Sequence, residues 1–379
     1  MRFHVLSLPH TQMTKDYISC AYTMKALNFS KMMMSLDHEV YAYAGDEIDA
    51  EITELVEIYS KDDQHRWFGE FDYHQKFYPI TWGGTEPHWT ESNDRAIEEI
   101  RKRIQPGDFI CVIAGWCQKA IADAFPDNKT VEYGIGYTGI FSPFKVFESY
   151  SHMHHVYGLG NTDDGGFFDA VIPNYFDPAD FPFSPDTERE DYYAFLGRYI
   201  QRKGPWIAAE AVQELGSKLI MAGQGCEEKD GQFIGQDMTL EGDHLSHIGH
   251  VNVAQRAELL SKAQATFVTT TYLEPFGGVS VESLLFGTPV ITTDFGAFTE
   301  IIKHGFNGYR IRTVGEAIQA AKNLDKLASP QEIRDAAMKN YSLDAVRYSY
   351  DSYFDQLSHL EDGQVYTRWA GPLDRYTKA

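Results

Sequence analysis

Glu274 and Glu282 stand on either side of the turn Pro275-Phe276-Gly277-Gly278, which leads into the helical spacing of Val279–Phe286. These types in this order suit a phosphorylated ligand. Gly277 and Gly278 let a ligand approach the backbone closely, and the N–H groups over 277–279 at the helix start favour an anion, most naturally a phosphate. Glu274, ahead of that anion site, can reach a sugar attached beyond the phosphates. Glu282, about one turn into the helix, can reach a ribose on the near side.

Such a turn needs a sheet beneath it, and the hydrophobic pattern supplies one. Residues 3–8 read as a buried strand, Asp16–Met34 as a helix and Glu39–Ala44 as a second strand. The alternation continues with a helix near Glu91–Ile104, a strand Phe109–Ala114, a helix Gln118–Ala124 and a strand around Thr130–Glu132. After the proline-dense segment 173–185 a second series begins: strand Tyr193–Leu196, helix Pro205–Leu215 and strand Lys218–Ala222. It goes on with helix Asn252–Lys262, strand Ala265–Thr269, helix Val279–Phe286, strand Pro289–Thr292 and helix Phe298–Lys303. The pattern predicts an α/β chain of two Rossmann-like domains. The boundaries are expected at 1–173 and 174–342, with an amphipathic terminal helix over about 343–360 before a polar tail.

The E-x7-E arrangement, followed by Gly287-Thr-Pro-Val-Ile291, Phe295-Gly-Ala-Phe-Thr-Glu300 and His304-Gly-Phe-Asn-Gly308, resembles the C-terminal domain of the retaining glycosyltransferases of family 4, also called glycosyl transferases group 1. The resemblance extends to Phe195-Leu-Gly197-Arg198 and Lys203-Gly204, where the family places the Arg and Lys that hold a nucleoside diphosphate. It includes Ile248-Gly-His250-Val251, similar to the strand-end segment that borders the base. It implies the GT-B fold, two Rossmann-like domains facing a central cleft with the segment 343–379 packing back onto the first, and transfer of a sugar with retention from a nucleoside-diphosphate sugar to an acceptor hydroxyl of a glycan or other small glycoconjugate. Arg198, Lys203 and Glu274 are then the catalytic candidates; Gly197, Phe276, Gly277, Gly278, Val279, Glu282 and His250 are the donor-binding ones.

The first domain is expected to serve the acceptor. His10 follows the first strand toward the cleft, and Tyr133 and Tyr137, read as exposed beside backbone-permissive glycines, are candidates to line it. Relatives often carry a histidine near the end of the corresponding strand, where this chain has Glu132 and Tyr133. The aromatic stretch 64–92 reads as irregular, either acceptor loops or a packed insertion.

A sugar–phosphate bond breaks with negative charge moving onto the leaving diphosphate, which needs stabilisation where it develops. Arg198, Lys203 and the 277–279 amides can supply it, and the chain contains no D-x-D pair to bridge the diphosphate to a divalent ion. No metal or other cofactor is therefore expected. His244-x-x-His247-x-x-His250 and the group His152, His154, His155, where Val146–Met153 reads as a helix running into a strand, read as ordinary loop and core histidines.

Composition narrows the remaining classes. The 379 residues carry 33 basic and 55 acidic side chains, a net charge of −22, which works against sequence-independent binding to nucleic acid. The four cysteines form no C-x-x-C pair, so neither a zinc ribbon nor a disulfide framework is indicated. No apolar run is long enough to span a bilayer, and a cytoplasmic location is expected. Two rival readings share this architecture: a sugar-nucleotide epimerase, which would need no acceptor, and a non-catalytic nucleotide-sugar-binding protein.

Overall fold

The computed structural model describes residues 1–76 and 79–360. Phe77 and Tyr78 of the aromatic stretch, and the 361–379 portion of the terminal segment, lie outside the described residues. The chain divides into two compact units: unit 1 comprises Met1–Phe71, Tyr78–Tyr175 and Leu343–Ala379, and unit 2 comprises Asp72–Phe77 and Phe176–Ser342.

Among the described residues, unit 1 is built on a seven-stranded parallel sheet of β1 (Arg2–Leu6), β2 (Glu39–Ala44), β3 (Glu54–Glu57), β4 (Phe109–Val112), β5 (Lys129–Ile135), β6 (Phe144–Phe147) and β7 (Asp169–Val171). Their order is β3-β2-β1-β4-β5-β6-β7, so the winding reverses between β1 and β4. Central strands such as Phe109-Ile-Cys-Val112 are buried throughout, as expected where helices cover both faces. Gln118 clamps the reversal point: its side-chain oxygen accepts from Ile113 N (2.8 Å) and Ala114 N (3.0 Å), while its amide donates to Ser7 O (2.8 Å).

The helix Leu343–Ser358 belongs to unit 1 and lies against the helix Ala21–Met34. Tyr350 meets Phe29 edge-on at 5.4 Å, and Phe354 packs on Phe3 (4.7 Å) and Phe109 (4.9 Å). Much of the chain's aromatic surplus is thus consumed in this core, where rings bury large areas. Trp89, also fully buried, satisfies its indole N–H on Thr81 O at 2.8 Å.

Unit 2 holds a six-stranded parallel sheet and, inserted in it, a small antiparallel one. In chain order the strands are β8 (Tyr193–Leu196), β9 (Leu219–Ala222), β10 (Glu227–Lys229), β11 (Gln232–Ile234), β12 (Thr239–Glu241), β13 (Leu245–His247), β14 (Thr266–Val268), β15 (Val290–Thr293) and β16 (Gly308–Ile311). The large sheet runs β13-β9-β8-β14-β15-β16 and the small one β10-β11-β12.

The structure differs from the sequence reading in three places. Val146–Met153 is not one helix: β6 takes Val146 and Phe147, and a helix Tyr150–Leu159 starts after Ser149, whose hydroxyl accepts from His152 N at 3.0 Å. The stretch 64–92 is not wholly irregular. A helix Lys61–Phe68 with a Ser60/Asp63 capping box enters it, and the helix Pro87–Arg101 begins within it. The insertion β10–β12 has no counterpart in the helix–strand alternation read from the sequence.

Candidate functional site

Where a doubly wound sheet reverses its winding, the loops leaving the two central strands part and open a crevice at the strands' carboxyl ends. In unit 2 the reversal falls between β8 and β14. The loop after β8 carries Gly197, Arg198 and the short 3₁₀ turn Gln201–Lys203; the loop after β14 carries Tyr272 and Glu274.

The two loops are locked together. Gly204 has φ +74°, and a Cβ there would lie 2.0 Å from Thr269 O, so only glycine brings the turn this close to the end of β14. Thr269 Oγ1 donates to Gly204 O at 2.7 Å, and Thr271 N to Arg202 O at 2.8 Å. Lys203 Nζ then donates to both carboxylate oxygens of Glu274, each at 2.9 Å. Burial alone would lower the Lys203 pKa, but Glu274 and Tyr272 outweigh it and hold the pKa above its ordinary value. The Tyr272 ring supports both cations, with the Arg202 guanidinium 3.8 Å and Lys203 Nζ 5.1 Å from its centre.

Beyond Glu274 the chain turns at Gly277, which has φ +82° and caps the helix Gly278–Leu285 without a side-chain hydrogen bond. A Cβ on Gly277 would meet the Phe298 ring at 2.5 Å. The helix start offers its amides to a ligand. Phe276, read as a donor-binding residue, points instead into the core, against Phe176 and Tyr341. It anchors the turn from below, and Val279 is partly buried on the same core.

Glu282 pairs with a residue the sequence reading missed. Arg256 NH1 donates to its two oxygens at 2.8 and 2.7 Å, with both side chains largely buried. A carboxylate has acceptor sites beyond those two, so the pair leaves Glu282 able to take a ligand hydroxyl. Arg198 is exposed at the end of β8. His250, after β13, lies 4.8 Å from the ring of His74 and 6.0 Å from that of Tyr73.

The other histidines of that group diverge. His244 lies within hydrogen-bond distance of Ala209 O (3.1 Å), and His247 packs edge-on against Tyr199, its pKa lowered by burial to about 4.

In unit 1, His10 lies buried on the loop after β1, with Cys20 Sγ at 4.0 Å and Trp82 edge-on at 5.9 Å. Burial lowers its pKa to about 3. Tyr133 is not exposed: it is fully buried and packs on Phe29 at 4.5 Å, which removes it from any ligand-facing surface. Tyr137 is half-buried and donates its hydroxyl to Glu132 at 3.1 Å. The buried Glu132 carboxylate also accepts from Phe141 N and Ser142 N, both at 2.8 Å, so it shapes the 137–142 loop; burial raises its pKa. The sequence reading also passed over Lys25, a buried ammonium paired with Glu148 that donates to Gly134 O at 2.8 Å.

Residues 177–343 match the family described as glycosyl transferases group 1. Unit 2 is a glycosyl transferases group 1 domain. An uncharacterized glycosyltransferase of Methanocaldococcus jannaschii is 28% identical over 250 residues, 60% of this chain and 62% of the relative. A phosphatidyl-myo-inositol mannosyltransferase of Mycobacterium tuberculosis is 31% identical over 178 residues, 43% of this chain and 45% of the relative. The matches thus span less than two thirds of either relative. Among solved structures, a glycosyltransferase involved in avilamycin A biosynthesis is similar with a TM-score of 0.68 at 19% identity, covering 94% of this chain and 98% of that one. Anabaena HepE in complex with UDP-glucose is similar with a TM-score of 0.64 at 14% identity, covering 95% and 100%. The chain has the GT-B fold, of which the group 1 domain is one Rossmann-like half. No helix among the described residues is long and apolar enough to cross a membrane.

Proposed function

We propose that the protein is a retaining glycosyltransferase that moves a sugar from a nucleoside-diphosphate sugar to the hydroxyl of a carbohydrate or glycoconjugate acceptor. The observation that carries this reading is the Lys203–Glu274 pair at the sheet reversal of the group 1 domain, next to the uncapped start of the Gly278–Leu285 helix. Cation, carboxylate and amides there serve adjoining parts of one ligand. HepE, with the same fold, was solved with UDP-glucose.

In this reading the diphosphate lies on the 277–279 amides, with Lys203 and Arg198 toward the oxygen that carries the sugar. As the sugar–phosphate bond breaks, its electron pair moves onto that oxygen, where fixed cations stabilise the charge. The acceptor oxygen attacks the same face of the sugar that the phosphate leaves, and its proton passes to the leaving phosphate. Glu274 orients the sugar through its hydroxyls, Glu282 holds the ribose, and unit 1 provides for the acceptor, with His10 and Tyr137 as candidates. The cations and amides offset the diphosphate charge with no metal ion or other cofactor.

The test is transfer itself. Each of a panel of nucleotide sugars is incubated with sugar acceptors, with and without a chelator, and the anomeric configuration of the product is read by NMR. The reading expects transfer with retention that survives the chelator. Conversion of the donor alone into an epimer would replace it with the epimerase reading.

A further inference from the structure

Asp72–Phe77 comes from the first half of the sequence but belongs to unit 2. Two hydrogen bonds hold its described part against the loop after β9: Gln224 Nε2 donates to Tyr73 O, and Gly225 N donates to Gln75 O at 3.4 Å. Gln224 and Tyr73 are both buried. Tyr73 and His74 thereby stand against His250, on the loop after β13.

This position is one step from the phosphate site. Glu282, one turn into the Gly278–Leu285 helix, is tied to Arg256, one turn into the helix Val253–Lys262, whose first residue follows His250 by three positions. A nucleotide with its phosphates at Gly277 and its ribose at Glu282 extends toward the ends of β9 and β13. There the surface is bare backbone: Gly223 and Gly249 have φ of +132° and +74°, Gly223 N donates to Gly249 O at 2.8 Å, and a Cβ on Gly223 would lie 1.9 Å from Gly197 O. A glycine floor beside three clustered rings suits a flat heteroaromatic group.

We infer that His74 forms, with His250, the wall against which the nucleotide's base lies, with the buried Tyr73 packed behind them as support, so that a segment from the first half of the sequence takes part in choosing the donor. The inference rests on the donor-binding reading above. Stacking on ring faces supplies affinity, and the ring nitrogens of the two histidines supply polar contacts for discrimination between bases.

The experiment measures, by calorimetry on the full chain, the affinities for UDP, GDP, ADP, TDP and inorganic diphosphate of the unaltered protein and of His74→Ala and Tyr73→Leu. His74 is exposed, so its replacement leaves the fold intact; thermal unfolding checks the Tyr73 variant. In His74→Ala the affinity for the preferred nucleoside diphosphate should fall about five- to thirtyfold, as when one stacking partner of a base is removed, and in Tyr73→Leu, which loosens the support behind His74, it should fall less. Inorganic diphosphate should bind unchanged, and the ranking of the bases should flatten. Unchanged nucleoside diphosphate affinities in His74→Ala, or an equal loss for inorganic diphosphate, would overturn the base wall while leaving the donor site standing. Absence of binding by the unaltered protein to all four nucleotides would overturn both.

Discussion

Lys203 and Glu274, 71 positions apart in sequence, meet through two 2.9 Å hydrogen bonds over the point where the second sheet reverses its winding. The pair orders a cation and a carboxylate in advance of any ligand. In the proposed reaction Lys203 acts mainly as charge develops on the leaving phosphate, so Lys203→Ala should lower kcat by about 10²–10³-fold, as loss of one fixed donor to a developing oxyanion does. Donor affinity should fall much less. Steady-state kinetics read the split; a large rise in KM at unchanged kcat would make Lys203 a ground-state binding group.

The turn that carries Lys203 depends on one glycine. Gly204→Ala puts a methyl group into Thr269 O at φ +74°, and should cost about 1–3 kcal/mol or more in denaturant unfolding. Glycine at 216, also at positive φ (+65°) but with nothing within 4 Å of an added Cβ, provides the control, whose alanine variant should lose less.

Arg256 and Glu282 form a largely buried pair, so removing either partner strands a charge or polar group. Glu282→Gln or Arg256→Met alone should destabilise by about 3–5 kcal/mol at the upper end, and the double variant should recover part of that loss. A double-mutant cycle in urea gives the coupling; strict additivity would mean that the pair does not form in solution.

His10 and His152 are buried and His247 is half-buried, and desolvation lowers their pKa values to about 3, 4 and 4, against 6.5 when unfolded. Between pH 6.5 and about 4 the unfolded chain therefore binds protons that the folded chain does not, and stability falls as pH falls through that window. The melting temperature should decline from pH 7 to pH 4, and His152→Gln should make the decline shallower. An equal slope in that variant would assign the acid sensitivity to other groups.

The sequence made some of this legible and hid the rest for physical reasons. The helix Pro205–Leu215 is bounded by a proline at its first position and by Gly216 at its end, both local signals, and its limits coincide with those read from the pattern. Gly277 announces its turn in the same local way. Arg256 meeting Glu282 across 26 positions, and Tyr73 meeting His250 across far more, depend on how strands are ordered in space, which no local spacing encodes. Tyr133 misled because β5 is buried on both faces, with Glu132 and Tyr133 both fully covered, so alternation along the strand carries no inside or outside. The antiparallel insertion is too short and too polar in β10 to stand out as strands.

The most direct measurement compares Glu274→Gln with Glu282→Gln for turnover and for affinity toward the free nucleoside diphosphate of the donor. Glu274→Gln should cut turnover and leave that affinity nearly unchanged, because the free diphosphate has no sugar to contact. Glu282→Gln should weaken the nucleoside diphosphate itself by about 1–3 kcal/mol, the worth of a charge-assisted hydrogen bond to the ribose. Matched losses in the two variants, or a small loss of stability in each with binding and turnover intact, would contradict the account and reduce both glutamates to supports of the Gly278–Leu285 helix.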